Sequence, residues 1–577
     1  MKQYEFFLTS SLEKVFPDKR PEPLPNSPIT ILAGEVPAVQ LVVFEPRSEN
    51  QAFDTRLTFD LTVTGAPFPV RLRKVELVPS DFPVYTSAKD ENYLRTEPGL
   101  FPDLLRPLDF SSLTPVEGQY RAVWIDFPQT GIENHGVYNI TVSAQGRSEL
   151  RLGNGTYILN ADCDRQVYSS SFVLKILPAK RPALSLIHTE WFYADCLASV
   201  YQLIPFSEEH WRAIENYIRF AAEELDVNMM LTPAFTPPLD TAVGGERPTI
   251  QLVDIEKNQD GYRFNFDKLA RWCTICRKYD IQYIEVAHLF TQWGAKATPK
   301  IVVKVDGELQ RMFGWNVPAD SPSYRLFLES FLPELRTALQ QFGYDCSHVI
   351  YHISDEPQEG HMESYKTAKN QVADLLKGCI VVDALSDYAY YEAGLVEHPI
   401  PASDCIEPFL EHKVPNLWVY YCCGQSVDVP NRFFSMPSAR NRIMGVLLYL
   451  YDIKGFLHWG YNFYYSQFSA RELNPYYETH GDYAFPSGDA YLVYPGEDWQ
   501  PLASIRSQVQ RSALDDMANL QLLERFIGRL EVTRLIYAEA QGPITFRQYP
   551  HDAEFLLKLR EVIGREIERA LQDAEGT

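Results

Sequence analysis

The sequence predicts a multidomain chain: an N-terminal antiparallel β-sandwich (residues 1–180), a central (β/α)8 TIM barrel (185–500) and C-terminal helices (501–577). Three observations carry this. Short alternating runs punctuated by Pro and Gly fill the first part of the chain. Short apolar runs then alternate with amphipathic stretches. From about residue 500 the pattern is helical throughout.

In the first region Leu57, Phe59, Leu61 and Val63 alternate with Thr58, Asp60 and Thr62, the period of a half-buried strand. Similar runs lie at 39–44, 70–78, 122–125, 136–142 and 171–177. Short strands with frequent turn signals suggest a sandwich. Pro178-Ala-Lys-Arg-Pro182 then reads as a linker.

The barrel strands are expected at 184–187, 227–231, 283–286, 349–353, 380–382, 405–406, 417–421 and 455–459. Amphipathic helices separate several of them. Ser207 is placed to cap the first, whose Trp211, Ile214, Ile218, Ala221 and Leu225 share one face. Others are expected at 267–278, 323–342, 363–377 and 438–450, and the fifth and sixth repeats have the shortest helices. Eight strands over this length fit one barrel, with a doubly wound open sheet as the alternative. Beyond residue 500, Ile505, Val509, Ala513, Met517 and Leu520 recur at helical spacing. A last helix starting near Asp552 carries Phe555, Leu559, Val562 and Ile563, with Glu561 and Arg565 as an i,i+4 pair. These helices are expected to pack on the barrel or to mediate a homodimer.

Composition excludes several functions. The 53 Lys and Arg against 76 Asp and Glu leave a formal charge of −23 with no basic block. Binding of nucleic acid through its phosphates is therefore not expected. No apolar segment is long enough for a membrane span, the longest run being 444–451, and the first 15 residues hold no signal-peptide core. The nine Cys follow no disulfide framework, so they are read as mostly reduced, and the expected location is cytoplasmic. The sequons at Asn139 and Asn154 are then chance matches. Cys273 and Cys276 form a lone CxxC within a helical pattern, without the second pair a zinc site needs. The twelve His are dispersed, and no HExxH, Walker A, GxGxxG or GxSxG motif is present. No metal and no cofactor is expected.

In a barrel of this kind the chemistry sits where the strands end. The fourth run ends in His352-Ile-Ser-Asp355-Glu356-Pro357. Burying two adjacent carboxylates costs several kcal/mol unless they are used or satisfied. Pro357 keeps Glu356 out of the helical region, so both groups can reach the cavity. The structural alternative is that Asp355 caps a turn and Glu356 makes an ion pair. Other strand ends add His188-Thr-Glu-Trp-Phe-Tyr193, His288-Leu-Phe-Thr-Gln-Trp293-Gly294, Tyr420-Tyr421 and His458-Trp-Gly-Tyr-Asn462. Aromatic faces beside amides and carboxylates suit a sugar ring, whose C–H face stacks and whose hydroxyls need directional partners. Cys422-Cys423 reads either as a nucleophile or, preferably, as two core thiols.

Four segments resemble glycoside hydrolase family 123, in chain order: the one from His288 to Gly294, the one ending Asp355-Glu356-Pro357, Gly455-Phe-Leu-His-Trp459-Gly-Tyr-Asn462, and Gly488-Asp489-Ala-Tyr-Leu-Val-Tyr-Pro-Gly496 with the following Pro501-Leu-Ala-Ser-Ile-Arg506. The resemblance spans about residues 185 to 530. It implies an exo-acting, retaining β-N-acetylgalactosaminidase that works by substrate-assisted catalysis, an exception to the two-carboxylate scheme. Glu356 would be the general acid and then the base, and Asp355 would orient the 2-acetamido group. Trp293, Tyr421 and Trp459 would wall the sugar, and His288, Asn462 and Asp489 would meet its hydroxyls. The implied partner is an oligosaccharide or glycoconjugate ending in β-linked GalNAc. A β-N-acetylglucosaminidase, another retaining β-glycosidase and a non-catalytic carbohydrate-binding protein are the alternatives.

Overall fold

The computed structural model describes residues 4–47, 55–151, 157–159 and 166–575. Asn154 and Cys163 lie outside the described residues. In the N-terminal region, Glu5–Ser10, Ala38–Phe44, Tyr120–Asp126, Arg71–Ser80 and Gly99–Pro107 form one antiparallel sheet in that spatial order. The second sheet runs Ile29–Ala33, Val167–Lys180, Gly136–Arg151, Thr55–Thr64 and Ser112–Leu113. Its pairing of Val167–Lys180 with Ile29–Ala33 is parallel, and the others are antiparallel. Leu41, Val43, Val123, Ile125, Ile140 and Leu174 fill the space between the sheets. Val42, Val75, Phe101, Leu104 and Trp124, from the other face of the five-stranded sheet, join the core of the barrel. Both faces of that sheet are covered, which explains why the run Ala38–Phe44 is apolar almost without a break.

Eight parallel strands follow: Ile187–Glu190, Met229–Thr232, Tyr283–Val286, Val349–Tyr351, Ile380–Leu385, His398–Pro401, Trp418–Tyr420 and Gly455–His458. Each pairs with the next through the sixth, the first pairs with the eighth, and the eighth with the seventh. A single bridge, Ala402 to Tyr420, joins the sixth to the seventh and nearly closes a (β/α)8 barrel. The sixth strand is His398–Pro401, not 405–406, which leads into the short helix Glu407–Glu411. Two prolines disguise it, and they are tolerated because they lie at the seam, where little of the ladder is made.

Helix Glu208–Leu225 begins as expected, with Ser207 Oγ accepting from the His210 N–H at 3.3 Å. Helices Asp267–Lys278 and Ser438–Leu450 also lie where the periodicity places them, whereas Met362–Asn370 stops short of residue 377. A sheet of Gly261–Asn265, Asp254–Asn258, Ile301–Val305 and Glu308–Phe313 interrupts the second and third repeats. Its strands are largely polar, so the alternation signal was weak there.

Ile505–Ile527 stands beside both Ser438–Leu450 and Glu208–Leu225. Asn441 Nδ2 donates to the Arg506 carbonyl at 3.0 Å, and Arg511 donates to the Glu223 carbonyl at 3.0 Å. That is the place of a barrel's eighth helix. The approach requires Gly445, since a Cβ there would stand 1.8 Å from the Ala513 carbonyl oxygen. The last helix, Ala553–Glu575, ties the sandwich to this layer: Arg560 pairs with Glu35 and Asp516, and Lys175 with Glu568.

Candidate active site

The C-terminal ends of the strands open on a cavity of about 160 Å³. Trp191 and Tyr193 reach it from the first strand, Gln292 and Trp293 from the third, Asp355 and Glu356 from the fourth. Tyr420, Cys422 and Cys423 follow the seventh strand, and Leu457 and Trp459 belong to the eighth and its exit. Leu239, Asp240, Gln467 and Phe485 complete the rim from longer loops.

The fourth strand delivers two consecutive carboxyls because its exit bends. The Trp293 N–H donates to the Asp355 carbonyl at 2.9 Å, and the Glu356 N–H to the Ala384 carbonyl at 3.1 Å. Glu356 has φ +42° and Trp293 φ +55°, left-handed values rare for such residues and held here by the neighbouring strand exits. The bend overrides the alternation that would send adjacent side chains to opposite faces.

The two carboxyls have different partners. Tyr420 Oη donates to Glu356 Oε1 at 2.5 Å, and Cys422 Sγ lies 3.9 Å from the same oxygen. Among the described residues, none donates to the Asp355 carboxylate. Burial raises both, Asp355 the more strongly because Glu356 adds to it, while the hydrogen bond from Tyr420 opposes the rise in Glu356. The pair therefore retains a proton above the usual carboxylate range.

Beneath the pair lies a buried ionic chain. His352 Nε2 is 2.7 Å from Glu285 Oε1, and its Nδ1 is 3.5 Å from Asp383. Burial alone would push this imidazole down, but Asp383 and Glu285 lift it to about 9. It is a cation at neutral pH, and its charge favours the ionised form of Asp355 above it. Glu285 also accepts from Thr189 Oγ1 at 2.6 Å and Trp191 Nε1 at 2.8 Å, which fixes the Trp191 ring at the cavity wall. A second buried pair, Arg432 with Glu190 at 2.7 and 2.8 Å, supports the exits of the first and eighth strands.

Of the residues singled out by sequence, Asp355, Glu356, Trp293 and Trp459 line the cavity. The other four stand behind its wall. Asp489 accepts from Trp459 Nε1 at 2.9 Å and so holds that ring. Asn462 clasps the backbone of Tyr193, accepting from its N–H at 2.9 Å and donating to its carbonyl at 3.0 Å. His288 is fully buried, its ring centroid 4.3 Å from that of His352 and 5.1 Å from that of Trp191. Burial and the His352 cation push it well below its usual value. Tyr421 is buried against Phe456 and His458, and the neighbouring Tyr420 faces the cavity instead. A step of one residue along a strand exchanges its faces.

Asp240 is the acid that sequence reasoning missed. Its N–H donates to Gln292 Oε1 at 2.5 Å, and its Oδ2 accepts from the Phe468 N–H at 3.1 Å. Burial lifts its carboxyl to about 6. It follows Pro237-Pro238-Leu239 in the long loop after the second strand, where no periodicity marks it. The sandwich also reaches this end of the barrel. Tyr85 donates to the Ala484 carbonyl at 2.8 Å, the Phe82 carbonyl accepts from the Ser487 N–H at 3.0 Å, and Asp90 takes Arg440 in a bidentate pair at 2.9 and 2.6 Å. Among the described residues there is no cluster of His, Cys, Asp and Glu that could hold a metal ion, and no helix is long and apolar enough to cross a membrane.

The family model for the catalytic domain of glycoside hydrolase 123 matches residues 191–523, ending inside helix Ile505–Ile527. A family 123 glycoside hydrolase from Clostridium perfringens, described in connection with glycolipid glycan hydrolysis, superposes with a TM-score of 0.69. The alignment covers 99% of this chain and 98% of that one at 13% identity, which establishes a common fold. A β-glucuronidase from Ruminococcus gnavus aligns at 10% identity over 88% of this chain and 69% of its own, with a TM-score of only 0.28. The xylanase 10B of Clostridium thermocellum reaches the same TM-score at 9% identity, covering 89% of this chain and 94% of its own. No curated protein matches. Since the catalytic-domain model takes in more than half of the sequence and the barrel that carries Asp355 and Glu356, the chain belongs to glycoside hydrolase family 123 and is a glycoside hydrolase.

Proposed function

We propose that this enzyme is a retaining exo-β-N-acetylgalactosaminidase in which the 2-acetamido group of the substrate is the nucleophile. The observation that carries the reading is the asymmetry of the carboxyl pair: among the described residues Glu356 has a donor on it and Asp355 has none. An acetamido N–H can only donate, and the ionised form of Asp355 would be a strong acceptor for it. The leaving oxygen needs a proton, and the pair keeps one. Burial drives Asp355 higher than Glu356. An N–H bound to Asp355, with the His352 cation below, reverses that order and leaves the proton on Glu356.

With Asp355 holding the acetamido N–H, the carbonyl oxygen attacks the anomeric carbon as Glu356 protonates the departing oxygen. Asp355 then balances the positive charge of the oxazolinium-like intermediate. Glu356, now ionised and hydrogen-bonded by Tyr420, takes a proton from the incoming water, which opens the ring and restores the starting state. Trp191, Trp293 and Trp459 provide the apolar faces for the pyranose and exclude bulk water. Two inversions give net retention. Hydrolysis of an aryl β-N-acetylgalactosaminide followed by proton NMR is expected to show the β-anomer first. Initial release of the α-anomer would rule the mechanism out.

A further inference from the structure

Cys422 and Cys423 take no part in the hydrolysis described above, yet both line the cavity. Both are half-buried and free of disulfides. The Cys422 thiol has its pKa raised by the adjacent Cys423 thiol and lies 3.9 Å from the Glu356 oxygen that Tyr420 also contacts. Their backbone is pinned: the Cys422 N–H donates to Gln425 Oε1 at 2.9 Å, and its carbonyl accepts from Asn431 Nδ2 at 2.8 Å. Adjacent side chains in a regular strand would diverge, but these two leave the strand in a turn and converge on one space.

We propose that Cys422 and Cys423 form a dithiol site for soft, thiol-bridging ligands of the trivalent arsenical class, and that occupation of the site shuts the active centre. The reaction balances without an oxidant. With an organoarsenic oxide, two arsenic–sulfur bonds form, the arsenic–oxygen bond breaks, and both thiol protons leave with that oxygen as water; arsenic stays trivalent. The thiol pair suits this condensation more than alkylation. The Cys423 thiol, burial and the nearby carboxylates hold the Cys422 thiol well above its usual value, so it reacts poorly as a thiolate nucleophile. A neutral arsenical also enters a cavity edged by Asp240, Asp355 and Glu356 more readily than an anionic reagent does. Once bound, it removes the Cys422 S–H from Glu356 and places its organic group where the sugar would sit. The remaining described cysteines form no comparable pair: Cys196, Cys273 and Cys276 are buried, and Cys346, Cys379 and Cys405 are isolated from one another in sequence.

The test uses phenylarsine oxide on the full chain. Intact mass is expected to rise by one phenylarsenic group per chain, and peptide mapping to place it on residues 422–423, readouts that do not depend on which sugar is cleaved. Glycosidase activity should fall in step, return with a 1,2-dithiol but not with a monothiol, and be protected by saturating sugar. Cys422→Ala and Cys423→Ala, each compared with its own untreated rate, should lose sensitivity roughly 10²-fold, because one-point attachment forfeits the effective concentration of the second thiol. An unmodified 422–423 peptide in the wild-type chain, or undiminished sensitivity in both variants, overturns the proposal.

Discussion

Tyr420 Oη stands 2.5 Å from Glu356 Oε1, a hydrogen bond that joins the end of the seventh barrel strand to the exit of the fourth. The contact selects Glu356 over its neighbour. It stabilises the ionised form of Glu356 and, in the proposed mechanism, leaves the Asp355 carboxylate to the substrate. Tyr420→Phe removes a donor to a charged group, worth about 1.5–3 kcal/mol, so kcat/KM should fall roughly 10- to 100-fold. The sign of the pH effect is fixed as well. Without this donor Glu356 holds its proton more tightly, so the alkaline limb of the rate profile moves to higher pH. The Tyr421 hydroxyl is buried without a hydrogen-bond partner among the described residues, and Tyr421→Phe should leave both rate and profile unchanged.

Glu356→Gln deletes the proposed acid. General acid–base catalysis contributes about 10² to 10⁴ in rate, and a loss of that size is expected on natural glycans. Aryl glycosides, whose leaving groups need less protonation, should lose less. Steady-state kinetics on one glycan and one nitrophenyl glycoside checks both statements, and full activity of the variant on the glycan would contradict the assignment.

Replacing His352 tests the ionic chain under the site. His352→Gln leaves Glu285 and Asp383 buried without the cation between them. Breaking a buried charged network by removing one member costs about 3–5 kcal/mol, which thermal or urea unfolding will register. Because His352 is raised from 6.5 to about 9 in the folded state, its contribution is complete below pH 6.5 and disappears as pH rises through about 9. The stability difference between wild type and variant should therefore narrow from pH 6 to pH 10.

Asp240 also loses stability as pH rises, but at lower pH and because burial disfavours its charged form. Its carboxyl is raised from 3.8 to about 6, so the folded chain binds the extra proton between those values and stability declines as pH rises through that window. Asp240→Asn removes the decline. The variant should be more stable than wild type at pH 7, by on the order of 1–3 kcal/mol, and should match it near pH 3.5.

Legibility in the sequence followed physical signal strength. Glu208–Leu225 was readable because a capping serine and a one-sided apolar stripe agree. The barrel strands were readable as short apolar runs, except His398–Pro401, where two prolines at the seam imitate a loop. Asp355 and Glu356 stood out because two acids at a strand exit need a reason. Tyr420 was missed in favour of Tyr421, since the residue before a turn and the residue in it face opposite ways and periodicity does not fix where the turn begins. His288, Asn462 and Asp489 sit beside the site in sequence but act on its walls, a distinction only side-chain packing supplies. Asp240 lies in a loop with no periodicity at all.

The central claim is that the acetamido group of the substrate does the work of a protein nucleophile. The most direct measurement is kcat/KM for nitrophenyl β-GalNAc, β-GlcNAc and β-Gal under one set of conditions. The account predicts turnover of the acetamido sugars, with β-GalNAc preferred, and none of the plain galactoside. Hydrolysis of β-Gal with neither acetamido sugar cleaved would contradict it.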